Sequence, residues 1–293
     1  MDYIIHIGIM IAIYSLFAAS LNLELGYAGL YNFGHIAFFA IGAYTSALLS
    51  LAGIPVYLSM VAGMMVAGVA GWALSFPSLR LSGDFFGVAT LAFAEMVRLV
   101  LLNERWLTKG PMGLPGIPRP YGIGSGMENL VAFLLFSLTI TLIGFAFMSR
   151  LTQSPFGRAL KVVREDPFVA QAFGKNVTVL QRKAMTIGSA LAGLSGVLYA
   201  HYISYISPSD FTLTETILVL LCVIVGGRGA LWGSAAGAAL MILLAESIRF
   251  LPIPQAWYRI VPSIQGMCYG ILLLVMIRVR PQGLISEYRG PHA

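Results

Sequence analysis

The sequence predicts an all-α polytopic integral membrane protein. Hydrophobic residues make up 58% of the 293-residue chain, whereas roughly half of the residues in a soluble domain are apolar. The mean hydropathy is +0.84. A membrane-spanning helix needs about 20 mostly apolar residues, and the chain contains many continuous runs of that length. Continuous runs favour helices over the alternating pattern of β-barrel strands.

These runs predict about nine membrane spans in a single transmembrane domain over residues 1–293. Only the seventh span, 213–225, is too short to cross alone. A broken or re-entrant helix, with Gly226 and Gly227 at membrane depth beside a cavity, would account for it. The predicted spans are roughly 3–21, 29–51, 56–77, 85–103, 128–149, 184–206, 213–225, 231–250 and 262–279.

Basic residues indicate the orientation, because loops rich in Lys and Arg stay in the cytoplasm. Arg278 and Arg280 place the end of the last span there, and no Lys or Arg precedes Arg80. We therefore expect an exported N-terminus, a cytoplasmic C-terminus and an external, Gly/Pro-rich loop over about 104–127. The polar segment, residues 150–183, is expected to be cytoplasmic because it carries Arg150, Arg158, Lys161, Arg164, Lys175, Arg182 and Lys183.

Composition and motifs argue against several function classes. The net charge of +6 comes from basic residues in a few loops, and no nucleic-acid-binding motif accompanies them. Cys222 and Cys268 stand alone in apolar runs, so neither a disulfide framework nor a metal site is predicted. No P-loop, HExxH or GxSxG motif occurs. We therefore expect no enzyme, and transport against a gradient would need an ion gradient or a separate ATPase.

Two short helices are predicted inside the polar segment. Ser154 precedes Pro155, a favourable start for a first helix because serine caps helices and proline is tolerated at the first position. Asp166 precedes Pro167 and is placed to accept the free N–H groups of a second helix. Gly174 is expected to end that helix in a left-handed conformation.

The second helix carries an apolar cluster of Phe168, Val169, Ala172 and Phe173. Such a cluster on a charged cytoplasmic surface is suited to a groove in another protein. It is equally suited to lying on the bilayer interface. The residue pattern alone leaves both interpretations open.

The polar segment has a close counterpart in a known family. Its motif GRALKVVREDPFVAQAFGKN resembles the cytoplasmic motif of the branched-chain amino acid ABC transporter permeases, most closely their M-type subunits. Four further blocks resemble that family in the same order: SLNLELGYAGLYNFGHIAFFAIGAYTSALL, LRLSGDFFGVATLAFAEMVRLVLLN, KGPMGLPGI and IVGGRGALWGSAAGAAL. The anchors of the cytoplasmic motif are Gly157, Ala159, Arg164, Glu165, Asp166, Ala170, Gly174 and Asn176.

The resemblance implies a permease of the bacterial inner membrane with the ABC importer permease fold, working by alternating access. It implies as partners a homologous H-type permease, two ABC ATPase subunits that bind ATP–Mg, a periplasmic binding protein and membrane lipid. This chain itself would bind neither a cofactor nor nucleic acid. The implied substrates are leucine, isoleucine and valine, with urea, short amides or other amino acids as alternatives. An ion-coupled secondary transporter and an intramembrane enzyme are the alternatives from other classes.

The resemblance also implies which residues couple to the ATPases. In the wider ABC-importer loop a glutamate stands where this chain has Phe168, so no salt bridge is expected from that position. Ala170 and Gly174 keep the expected spacing. The residues expected at the ATPase contact are Gly157, Arg164, Glu165, Asp166, Phe168, Ala170, Phe173 and Gly174.

Polar residues inside the spans are candidates for the substrate pathway, because ionisable groups in a membrane usually face a cavity or pair with each other. Glu95 and Arg98 stand three apart, as do Glu246 and Arg249, so each pair can bond within its own helix. Two interpretations remain open. The pairs are structural and bonded within their own helices, or they line an external vestibule where a zwitterionic amino acid meets both charges. His35 is interpreted either as a packing histidine or as a substrate contact.

Glycines recur near both ends of the chain. The run Gly229, Gly233 and Gly237 is a double GxxxG pattern, which allows close helix packing or a sliding interface. Gly226 and Gly227 would break the helix and aim free backbone groups at a substrate. Glu24 falls near the cytoplasmic end of the first span, where we expect it to be solvated.

Overall fold

The computed structural model describes residues 2–81, 83–120, 127–249, 261–280 and 282–286. Most of them are helical, in agreement with the predicted fold class. The α-helices are α1 Asp2–Asn22, α2 His35–Leu51, α3 Val56–Ser78, α4 Asp84–Asn103, α5 Arg105–Thr108, α6 Met127–Gln153, α7 Pro155–Glu165, α8 Pro167–Ala172, α9 Val177–Ile203, α10 Leu213–Gly226, α11 Leu231–Arg249 and α12 Val261–Val279. A π-helix, Leu23–Tyr27, follows α1, and 3-10 helices lie at Gly110–Met112 and Pro208–Asp210.

Five helical segments of the described chain are long and apolar enough to cross a membrane, so the protein is a multi-pass membrane protein. The predicted seventh span is longer than expected, because the 3-10 helix at Pro208–Asp210 extends α10 to Pro208–Gly226. Shorter apolar helices occur at His35–Leu51, Leu231–Ser247 and Ile264–Met276. The count of about nine spans stays a prediction. The five crossing segments are Asp2–Tyr27, Val56–Ser78, Asp84–Asn103, Met127–Gln153 and Pro208–Gly226.

Two helices form the centre of the packing. α1 contacts α6, α9, α10 and α11, while α9 also packs along α2 and α3. α1 is buried over most of its length, with Ile13, Leu16 and Phe17 fully enclosed. α4 lies at the periphery, where it contacts mainly α2. Much of the α4 surface is therefore uncovered in the single chain.

Contacts between helix ends define two faces. On the polar face, which carries α7 and α8, the Arg164 guanidinium donates to the Gly26 carbonyl beyond the end of α1. On the opposite face, His6 near the start of α1 lies 2.6 Å from the Tyr202 hydroxyl near the end of α9. α1 and α9 therefore run in opposite directions between the same two faces.

The predicted loop over about 104–127 lies on the opposite face, with residues 121–126 outside the described part. Its strand Leu114–Pro115 pairs antiparallel with Tyr205–Ile206. The Pro118 carbonyl lies 2.6 Å from His201 Nδ1, and Arg119 donates to the Tyr202 carbonyl at 3.1 Å. The loop is thus tied to the end of α9, a long-range pairing that its turn-rich sequence does not reveal.

Glycines set how closely helices approach, as the packing interpretation of the glycine runs predicted. A Cβ built at Gly42 would overlap the Gly193 carbonyl where α2 crosses α9. One built at Gly237 would overlap the Cys222 carbonyl where α10 crosses α11, and Gly226 faces Gly233 in the same way. Without side chains at these points, the backbones come into direct contact. A sliding role for the same interface stays a prediction.

Candidate functional site

The polar segment folds as two short helices, as predicted. Asp166 caps α8, because its Oδ1 accepts from the backbone N–H groups of Phe168 at 2.8 Å and Val169 at 3.2 Å. Gly174 ends the helix region with φ +71°. These local features follow from residue types alone.

The predicted cap at Ser154 is wrong in one respect. Ser154 does precede α7, but its side chain makes no capping bond to the helix. Its hydroxyl instead donates to the Leu151 carbonyl at 2.6 Å. α6 ends immediately before this residue, and its last carbonyls need donors. The serine therefore closes the end of α6 and does not cap the start of α7.

α8 presents an apolar surface to solvent. Phe168 is 80% exposed and Phe173 is 76% exposed. Ala170 on the same helix is fully buried and faces the chain, since α8 packs against α9. Contiguous exposed apolar surface marks a site that a partner or a membrane covers. We call Phe168 and Phe173 together the aromatic knob.

The other predicted coupling residues point in different directions. Glu165 is exposed, with 71% of its side chain accessible, and it accepts from Arg164 Nη2 at 2.7 Å. Arg164 also reaches inward to the Gly26 carbonyl. Gly157 is buried, and a Cβ there would overlap the Thr152 backbone. Part of the predicted set thus faces outward, and part fastens α7 to the rest of the chain.

Glu95 and Arg98 form the expected intrahelical pair on α4. Arg98 Nε donates to Glu95 Oε2 at 2.9 Å. The Glu95 side chain remains 49% exposed and the Arg98 side chain 26% exposed. Glu95, but not Arg98, lines a shallow surface groove of about 590 Å³ together with Leu91, Ala92, Met96, Leu99, Val100, Asn103 and Glu104. For the second predicted pair, the side chain of Arg249 lies outside the described residues, and Glu246 accepts from the Tyr3 hydroxyl.

His35 is fully buried and not on an open surface. Its Nε2 lies 2.8 Å from Ser20 Oγ, and its ring stacks on Phe17 with centroids 5.3 Å apart. These contacts favour the packing interpretation. A role in the substrate pathway stays a prediction that the contacts do not support.

The expectation that Glu24 is solvated is wrong, because its side chain is fully buried. Glu24 Oε2 accepts from Asn32 Nδ2 at 2.7 Å, and Oε1 lies 3.6 Å from His35 Nδ1. Glu24 lies in the π-helix Leu23–Tyr27, all of whose residues are buried. At 3.6 Å the His35 contact is too long for a hydrogen bond, and Oε1 has no hydrogen-bond partner among the described residues. The Asn32 bond is therefore the one that offsets part of the cost of burying the carboxylate, which is several kcal/mol when it is unpaired.

Gly226 and Gly227 lie at the polar face and are both buried. The Gly226 carbonyl accepts from Ile285 N at 2.9 Å, and Gly227 N donates to the Val223 carbonyl at 2.9 Å. These backbone groups are therefore bonded within the chain, and the predicted pathway role has no support from their contacts.

One polar contact inside the helices was not predicted. Tyr14 on α1 donates its hydroxyl hydrogen to Glu215 Oε2 on α10, at 2.8 Å. Glu215 stands two residues before the apolar run 217–225, which was the available signal. No group of three or more His, Cys, Asp or Glu side chains within the described ranges is placed to hold a metal ion.

A known family matches nearly the whole chain. Residues 3–276 match the family described as "Branched-chain amino acid transport system / permease component". The chain belongs to this family.

Three relatives illustrate the range of the permease family. The chain is 33% identical to the high-affinity branched-chain amino acid transport system permease protein LivM of Salmonella typhimurium, over 97% of this chain and 70% of the relative. It is 28% identical to the probable LivM protein of Methanocaldococcus jannaschii, over 98% and 94%. It is 26% identical to the LivH permease protein of Salmonella typhimurium, over 94% and 91%. No solved structure matches the chain.

Proposed function

We propose that this chain is the membrane-spanning permease subunit of a bacterial ABC importer that takes up leucine, isoleucine, valine or close analogues by alternating access. It pairs with a second, homologous permease, two ATPase subunits that bind ATP–Mg and a periplasmic binding protein. The polar face is cytoplasmic and the opposite face, with the N-terminus, is periplasmic. Residues 1–293 act as one permease domain in the inner membrane, without a cofactor of their own.

The aromatic knob is the observation that carries this proposal. The six-residue helix α8 holds Phe168 in solvent, and Phe173 directly follows the helix and is also exposed. The Asp166 cap and the buried Ala170 fix α8 to the chain. A bilayer contact would also cover the knob, but α8 is short and flanked by the charged residues Glu165 and Lys175. A groove in an ATPase subunit fits this compact apolar surface better.

The α4 surface supports a pathway between two permeases. Glu95 lies near the middle of the 20-residue helix α4, and Arg98 lies one turn further on. An exposed ion pair at this depth is costly in contact with lipid. The pair is therefore best covered by the paired permease, with the substrate between the two subunits. The substrate ammonium group would meet Glu95, and its carboxylate would meet Arg98.

The proposed function is tested by reconstituting the chain in liposomes with its paired permease, ATPase subunits and binding protein. Uptake of labelled leucine is expected to require ATP at the ATPase side and to continue when an ionophore removes the proton gradient. Uptake that persists without ATP and stops with the ionophore would support the ion-coupled secondary transporter instead. Binding of candidate amino acids, urea and amides to the binding protein identifies the substrate.

The double variant Glu95→Leu with Arg98→Leu tests whether this surface of α4 lines the substrate pathway or contacts lipid. If this face met lipid, the apolar double variant would fold and transport at least as well as the wild type. We expect uptake to fall by about tenfold or more, because charge-assisted bonds to the substrate are lost, while the complex still assembles. Met96→Leu on the same surface is the control and is expected to transport normally.

A further inference from the structure

The end of α1 contains an unusual local structure. Residues Leu23–Tyr27 form a π-helix, in which Ala28 N donates to the Leu23 carbonyl at 3.2 Å. π-helical turns are rare and occur frequently at functional sites. All five residues are buried, so packing against neighbouring elements holds this register in place.

The first of these neighbours is α7. The Arg164 guanidinium donates to the Gly26 carbonyl, inside the π-helix. Gly29 takes φ +72° just beyond it, and a Cβ there would lie 3.3 Å from Arg164 Cα. Lys161 Nζ lies 5.4 Å from the centre of the Tyr27 ring. The helix preceding the aromatic knob is therefore attached directly to the end of α1.

The second neighbour is the turn between α10 and α11. Asn22, the last residue of α1, accepts at Oδ1 from Gly229 N at 3.0 Å. Its Nδ2 donates to the Ala230 carbonyl at 2.9 Å and to Ser234 Oγ at 2.8 Å. One buried amide thus fastens the turn to α1, directly before the π-helix begins.

One attachment, at Gly26, lies inside the π-helix, and the other, at Asn22, lies directly before it. The π-helical register between them has an α-helical alternative. If the hydrogen bonds of a π-turn, which join residues five apart, change to the α-helical pattern of four apart, the residues beyond the turn rotate by about 100°. Gly26 and Asn22 are close-packed in the present register, because a Cβ at Gly26 would overlap Asn22 Oδ1. A displacement of α7 that pulls on the Gly26 carbonyl therefore acts on the Asn22 contacts as well.

We propose that Arg164 and Asn22 are positioning residues that transmit a displacement of α7 through the π-helix to the α10–α11 turn. Arg164 then acts within the chain, beyond any contact with a partner. The proposal rests on the proposed function in one respect, since it takes the ATPase subunits as the source of the displacement.

Hydrogen exchange tests the attachment itself. The Arg164→Gln variant in the assembled complex in lipid nanodiscs is expected to exchange the amide hydrogens of Ala28 and Leu30 about tenfold faster, as for loss of a charge-assisted bond. Both amides donate to carbonyls of the π-helix, those of Leu23 and Glu24. Arg158→Gln is the matched control, because Arg158 lies on the exposed side of α7 and, among its described bonds, its side chain donates only to the nearby Gln153 carbonyl. Equal exchange in the two variants would overturn the attachment.

Transport stoichiometry tests whether a displacement of α7 is transmitted through the π-helix to the α10–α11 turn. Arg164→Gln and Asn22→Ala are each expected to lower the number of amino acids imported per ATP hydrolysed by about tenfold, with the ATPase subunits bound at the wild-type level. If both residues serve one relay, the double variant is no worse than the worse single variant; independent roles would multiply the two losses.

The outcomes separate this proposal from the function on which it rests. A wild-type complex that shows no ATP-driven uptake contradicts the proposed function, and the exchange measurement then still decides the attachment. A wild-type complex that transports, with variants that exchange faster yet keep the wild-type stoichiometry, overturns the relay. Loss of ATPase binding in Arg164→Gln would also overturn it, in favour of a direct contact with the ATPase.

Discussion

Phe168→Asp and Phe173→Asp are each expected to lower ATP-driven uptake by about tenfold or more and to leave the permease folded in the membrane. Both rings are mostly exposed in the single chain, so the fold does not depend on burying them. Covering a phenylalanine in a partner's groove contributes about 1.5–3 kcal/mol. A carboxylate in that groove loses this contribution and adds a desolvation cost.

Uptake and ATP hydrolysis are measured together on the reconstituted complex, and insertion is checked by membrane extraction. Gln171→Asp is the matched control, since Gln171 is an exposed residue of the same helix outside the aromatic knob. It adds the same charge and is expected to transport normally. Phe168→Leu and Phe173→Leu keep an apolar side chain and are expected to retain most of the uptake. Wild-type uptake and ATPase stimulation in both aspartate variants would contradict docking through the knob.

Gly237→Leu is expected to prevent stable folding of the permease. A side chain at this position meets the Cys222 carbonyl across the α10–α11 crossing. Because backbone cannot yield as a flexible side chain would, the two helices must separate along the crossing. Overpacking typically costs 1–3 kcal/mol, and a backbone overlap lies at or above the upper end, about 3 kcal/mol. We expect the yield of monodisperse protein after detergent extraction to be a small fraction of the wild-type yield.

Gly270→Leu is the matched control for this change. Gly270 lies on α12, and a Cβ built there has no described atom within 4 Å. The same substitution is expected to leave the yield and the melting temperature of the permease close to those of the wild type. Equal yields of the two leucine variants would contradict close packing at the α10–α11 crossing.

The local features of the polar segment follow from its residues. Asp166 before Pro167 predicts a capped helix, and Gly174 predicts its end, because capping and left-handed turns depend on groups within a few residues. Ser154 shows the limit of such inference. Two helix ends compete for its hydroxyl, and the sequence does not say which of them lacks a donor.

The candidate site depends on contacts between distant parts of the chain. Glu24 was predicted to be solvated because it lies near the end of an apolar run, yet the π-helix and Asn32 enclose it. Arg164 was predicted to belong to a partner contact, yet it also reaches the Gly26 carbonyl, 138 residues away in sequence. A charge pattern records how many ionisable groups a segment has, but not which distant backbone group each one meets.

The sequence by itself determined that this protein is a helical membrane protein of the permease family, with a capped pair of short helices in a polar segment. Hydropathy, capping and motif order are properties of neighbouring residues, so they can be read along the chain. Only the tertiary structure decided which side chains of that segment are free to meet a partner and which are attached to α1. That choice depends on how helices far apart in sequence pack, as at Gly29, where a Cβ would lie 3.3 Å from Arg164 Cα.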